Sequence, residues 1–66
     1  MELVINGERR GVAAGLTVSA LLQELGLEAG RVVVELNRDI VPREQYEATP
    51  LHDGDALELV ELVGGG

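Results

Sequence analysis

Hydrophobic and polar positions change period several times along the chain, and each change marks an element. Val4 and Ile5 lead into Asn6-Gly7, the dipeptide best suited to a two-residue type I′ turn, whose central residues both need positive φ. A hairpin therefore opens the chain, with a return arm over Glu8 to Ala14 that starts polar and then carries Val12. Val18, Leu21, Leu22 and Leu25 follow at i, i+3, i+4 and i+7, the single buried stripe of an amphipathic helix. Thr17 is placed to cap that helix and Leu16 to staple onto Leu21 across its first turn. Gly26 is placed to end it in a left-handed conformation, which leaves Gln23 and Glu24 in water.

After a turn at Glu28-Ala29-Gly30 the period drops to two. The β-branched run RVVVELN predicts a strand with Val32, Val34 and Leu36 on one face. Asn37-Arg38-Asp39 reads as a turn, Ile40-Val41 as a short extended piece, and Pro42 as the start of a helical turn over Arg43 to Tyr46. Asp53-Gly54-Asp55 supplies another turn. It precedes a last strand, ALELVELV, with Leu57 and Leu59 on the core side. There the alternation breaks: period two puts Glu61 on the core side, and Val60 and Leu62 beside Glu58 on the other.

One helix between two strand pairs has one economical packing, a mixed sheet wrapped around the helix with the first and last strands parallel at its centre. The expected fold is therefore α+β, a ubiquitin-like β-grasp over residues 1–63, with a flexible glycine tail at 64–66.

Composition narrows the chemistry. A chain of 66 residues forms one small domain that hides about 60% of its unfolded surface. There is no Cys, so no disulfide or thiolate zinc site contributes, and aliphatic packing must hold the fold. Twelve acidic against five basic residues give a formal charge of −7, which repels nucleic acids and anionic membranes. With Tyr46 as the one aromatic, there is no platform for base stacking either. Nothing at the amino end resembles a signal peptide and no run reaches membrane-spanning length, so a cytoplasmic location is expected. His52 stands beside Asp53 and Asp55, but the ligands are few and the turn already has a structural use for the aspartates, so no metal is expected. Neither a Ser-His-Asp arrangement nor a phosphate-binding glycine loop is present. No catalytic machinery of the chain's own is expected.

VING, LTVSALLQELGL, ELNRDIVPREQY and DGDALELVELVGGG together carry a resemblance over essentially the whole length. The chain resembles the ThiS family of thiamine-pathway sulfur carriers; the pattern from Asn37 to Arg43, DGD and the final Gly-Gly make the match specific. The resemblance implies a co-substrate protein rather than an enzyme. A ThiF-type enzyme would use ATP to adenylate Gly66, with no cofactor bound to the carrier. Sulfur from a cysteine desulfurase relay would convert the adenylate to a thiocarboxylate, which the thiazole synthase ThiG consumes. Carriers for molybdopterin synthesis or tRNA thiolation share this tail chemistry, and a ubiquitin-like protein modifier is the alternative of a different class.

The chemistry gives each glycine a reason. Three glycines reach about 10 Å, and without Cβ atoms they fit a narrow channel. Gly66 bears the reacting carboxyl, Gly65 passes the tightest point, and Gly64 lets the tail leave the strand. Val60, Leu62 and Val63, with the carboxylates of Glu58 and Glu61 flanking, are the candidate partner-binding residues. Val60 and Leu62 either stand exposed as that surface or pack beneath the segment from Ile40 to Tyr46. Arg43 is expected to pair locally with Glu44 or Glu47. With no Cys in the chain, the sulfur nucleophile must come from another protein.

Overall fold

A computed structural model describes residues 1–63. Strand β1 (Glu2–Ile5) turns at Asn6-Gly7 into β2 (Glu8–Gly11), and helix α1 (Val18–Glu24) follows. Strand β3 (Val32–Leu36) turns into β4 (Asp39–Val41), and β5 (Ala56–Glu61) completes the set. Single 3₁₀ turns at Ala29–Arg31 and Arg43–Gln45 join them. The five strands form one sheet in the order β2-β1-β5-β3-β4. β5 runs parallel to β1 on one side and antiparallel to β3 on the other. This is the expected β-grasp, with the last strand of the sequence at the centre.

Local chemistry explains the boundaries. Asn6 and Gly7 hold φ of 51° and 83°, the left-handed pair of a type I′ turn. The return arm is shorter than the Glu8–Ala14 expected: β2 stops at Gly11, opposite Glu2, and Val12 closes the ladder by exchanging bonds with Met1. At the helix, Thr17 Oγ1 accepts from the Ala20 amide at 3.2 Å, the predicted cap. Gly26 takes φ of 73°. Its amide donates to Gln23, and that of Leu27 to Leu22, the paired bonds of a Schellman ending.

The second hairpin departs from the expected three-residue turn. Asn37 (φ 50°) and Arg38 (φ 74°) form a two-residue turn, and Asp39 already pairs with Leu36 as the first residue of β4. Asn37 is the residue type that tolerates this backbone, and its side chain is held by β5 as described below.

The helix stripe fills the concave side of the sheet. Val18, Leu21 and Leu22 are buried against Leu3, Ile5, Val32, Val34 and Leu57, with Leu16, Leu25 and Leu59 packed at the margin. Tyr46 closes one end: its ring is buried, and its hydroxyl donates to the Val32 carbonyl at 2.6 Å. Leu51 is also buried, and its amide bonds to Leu16. Among the described residues no helix is long and apolar enough to cross a membrane.

Candidate functional site

The site begins where β5 begins. In the turn before it, Asp53 Oδ1 accepts from the Glu2 amide at 2.6 Å and Asp55 Oδ2 from the His52 amide at 2.8 Å. His52 itself is exposed, with Nδ1 3.8 Å from Asp55 Oδ2, so the aspartates do serve the turn. Asp55 Oδ1 also accepts from Asn37 Nδ2 at 3.0 Å.

Two turn asparagines then grip the strand from opposite sides. Asn37 Oδ1 accepts from the Ala56 amide at 3.0 Å, while the backbone amide of Asn37 donates to the Ala56 carbonyl at 2.7 Å. Asn6 Oδ1 accepts from the Leu59 amide at 2.8 Å, and its Nδ2 donates to the Leu59 carbonyl at 3.3 Å. In each case a side-chain amide imitates a peptide group, so Asn6 extends the β1–β5 ladder past the point where β1 has turned away. At the far end the Leu62 amide donates to the Arg31 carbonyl at 2.7 Å. The strand that leads to the glycines is therefore held along its whole length.

Its two faces differ. Leu57 and Leu59 point to the helix, whereas Ala56, Glu58, Val60 and Leu62 alternate with them onto the open face. Val60 and Leu62 are 56% and 52% exposed, so they do not pack beneath the 40–46 segment, and Val63 is 85% exposed. Strand register brings Val33 beside Val60, and Glu35 between Glu58 and Ile40. Val33 and Ile40 are exposed as well, so the apolar area is wider than Val60 and Leu62 alone. Sequence alternation set only Val60 and Leu62 on the face away from the core-side leucines. The pairing register is what adds Val33 and Ile40 and makes one patch of them.

Glu61 corrects one expectation. It does not border that patch with Glu58; it lies on the helix side, lining a depression with Arg10, Glu24, Leu25 and Leu27. Period two had indeed put it on the core side, and it stays exposed because the strand there has run past the helix. Arg43 makes no ion pair among the described residues; the one Arg–carboxylate pair there is Arg31 with Glu28, at 3.7 Å. The 3₁₀ turn carries Arg43 on a segment whose neighbouring acidic residues, Glu44 and Glu47, are exposed, which gives a surface pair little to gain. Among the described residues no three His, Asp or Glu side chains gather as a metal site. Gly64, Gly65 and Gly66, the residues expected to do the chemistry, lie outside the described residues.

Comparison with known proteins bears on the same strand and tail. A sulfur carrier protein ThiS from Escherichia coli is 35% identical over 66 residues, covering all of both chains. The crystal structure of a thiamine biosynthesis protein (ThiS) from Geobacter metallireducens superimposes with a TM-score of 0.85 at 42% identity, again over the whole of both. A thiazole synthase from Paramagnetospirillum magneticum is 52% identical over 66 residues, but the chain spans only 20% of that protein's length. It spans the same 20% of a second thiazole synthase, from Magnetococcus marinus, at 39% identity. The sequence model of the ThiS family matches residues 3–66, the glycines included, and by that match the chain belongs to the ThiS family.

Proposed function

We propose that the chain is a sulfur carrier in thiamine biosynthesis, consumed and regenerated as a co-substrate, with Gly66 as the residue that carries the sulfur. The observation that bears most weight is the family match through residue 66, together with relatives of the same length that are named sulfur carriers. The fold supplies the physical part: a rigid body whose central strand runs out beside an exposed apolar patch.

A free carboxylate is anionic and would have to expel oxide, so a sulfur nucleophile gains nothing by attacking it. In the proposed sequence a carboxylate oxygen of Gly66 attacks the α-phosphorus of ATP on a ThiF-type enzyme, and pyrophosphate leaves. A persulfide from a cysteine desulfurase relay then attacks the acyl carbon and AMP leaves, giving an acyl disulfide. A second partner thiolate then attacks the relay cysteine's sulfur in that acyl disulfide: the S–S bond to the carrier breaks, a disulfide forms between the two partner cysteines, and the carrier departs as the thiocarboxylate. All sulfur nucleophiles belong to partners, since the chain has no Cys. Gly65 and Gly64 give the carboxyl its reach, while Val60, Leu62, Val63 and Glu58 dock the body.

Thiazole synthase is the partner that the comparisons favour: in two proteins of that name, one fifth of the length resembles this whole chain. The same observation favours the thiazole pathway over molybdopterin synthesis or tRNA thiolation. The test is the intact mass of the chain after incubation with the activating enzyme, MgATP and a sulfur source. The expected change is one oxygen replaced by sulfur at the terminus. An unchanged mass beside a control carrier that is converted, or conjugates on lysines of other proteins, overturns the proposal.

A further inference from the structure

The open face carries one arrangement that its own fold does not explain. Glu35 and Glu58 are direct cross-strand partners, and both project onto that face. Like charges in this position destabilise a sheet, yet among the described residues neither joins an ion pair. Arg38 borders the same depression, of about 360 Å³, without reaching within ion-pair distance of either carboxylate. The surroundings are apolar on two sides: the Val33–Val60 row lies next along the strands toward the tail, and Ile40 continues the row of the glutamates. Val4 and Ala56 bound the third side. The face thus combines two adjacent negative charges with an exposed aliphatic border, on a chain of net charge −7.

We infer that Glu35 and Glu58 form a clamp for an arginine of thiazole synthase, its guanidinium lying across both carboxylates while Val33, Ile40 and Val60 pack against apolar side chains around it. This rests on the docking role proposed above for the open face and adds the chemistry of what docks. Charge complementarity selects a cation. Two carboxylates whose Cβ atoms stand about 5 Å apart offer a planar donor fork two acceptors, which a point-charge ammonium uses less well. The aliphatic border excludes water from the contact, which strengthens it relative to a surface pair. Docking also removes the repulsion that the free carrier sustains, so the pair favours the bound state from both sides.

The test compares binding of purified thiazole synthase to the carrier and three variants: Glu35→Gln with Glu58→Gln, Glu35→Asp with Glu58→Asp, and Val60→Asp. The neutral double variant is expected to keep or raise the thermal midpoint and to bind on the order of tenfold or more weakly. Its binding should also lose most of the salt dependence seen with the wild-type carrier. The shortened acids retain charge and should recover part of the affinity. If the neutral double variant binds as well as wild type while Val60→Asp does not bind, the face docks and the clamp is wrong. If Val60→Asp also binds normally, the docking role of the face falls with it. Sedimentation of the carrier alone decides the remaining occupant: concentration-dependent dimers that the neutral variant abolishes would assign the clamp to a second copy and overturn the inference.

Discussion

Replacing Tyr46 with Phe removes one atom and tests how the end of the fold nearest the tail is held. The ring stays, so the apolar contacts of this buried side chain are unchanged. What is lost is the 2.6 Å bond to the Val32 carbonyl, within the protein interior. A neutral hydrogen bond contributes about 1 kcal/mol net, and a buried acceptor left without it costs about 1–3 kcal/mol. The expected loss is therefore about 1–3 kcal/mol, against a total of about 5 kcal/mol for a domain this small. At about 4–8 °C per kcal/mol the midpoint should fall by at least about 4 °C. Because Tyr46 is the only aromatic residue, intrinsic fluorescence disappears with the substitution, and far-UV circular dichroism in urea is the assay. The slope with denaturant should not change, since the exposed surface is the same. Val32 follows Arg31, whose carbonyl holds Leu62, so amide exchange at Leu62 should quicken first. A variant within about 0.3 kcal/mol of wild type would refute the reasoning and mean that water or a neighbouring amide takes over the Val32 carbonyl.

Three further outcomes follow from single features. Thr17→Ala deletes the 3.2 Å cap on the Ala20 amide and should cost about 1 kcal/mol by the same unfolding assay. Val60→Asp and Leu62→Asp, both on the exposed face, should change stability by no more than about 0.5 kcal/mol while abolishing capture by the activating enzyme in a pull-down; unfolding instead would show that the patch is structural. Gly65→Ala should leave the urea midpoint unchanged and slow adenylation, measured by pyrophosphate release, and a normal rate would remove the case for a narrow channel.

The elements were legible because each had its own local chemistry. The Asn6-Gly7 turn, the Thr17 cap, the stripe from Val18 to Leu25 and the Gly26 ending are decided within a few residues, and all four stand where the pattern placed them. The site was legible only in part. Alternation put Val60 and Leu62 on the face away from the helix but left open whether the 40–46 segment covers them; their exposure, and their neighbours Val33, Ile40 and Glu35 from β3 and β4, depend on chain packing and strand register, which are long-range properties. The side chains of Asn6 and Asn37 illustrate the same limit. Sequence marks both as turn residues, and nothing local tells that each also completes the bonding of a strand many positions later. Tyr46 was visible as the lone aromatic, while its role depends on a partner 14 residues away. Arg43 failed for a different reason: neighbouring opposite charges in a sequence do not make an ion pair when both are free in water.

The central position of β5 has a mechanical meaning. A body drawn along by its carboxyl end, while that end is seated in another protein, feels the pull along the axis of β5. The ladders to β1 and β3 lie across this axis, so the load falls on all their bonds in shear rather than on one at a time. An outermost strand in the same role would peel away. In the proposed carrier role, a handle attached to the middle of the sheet would let the domain be tugged free of one partner and presented to the next without unravelling.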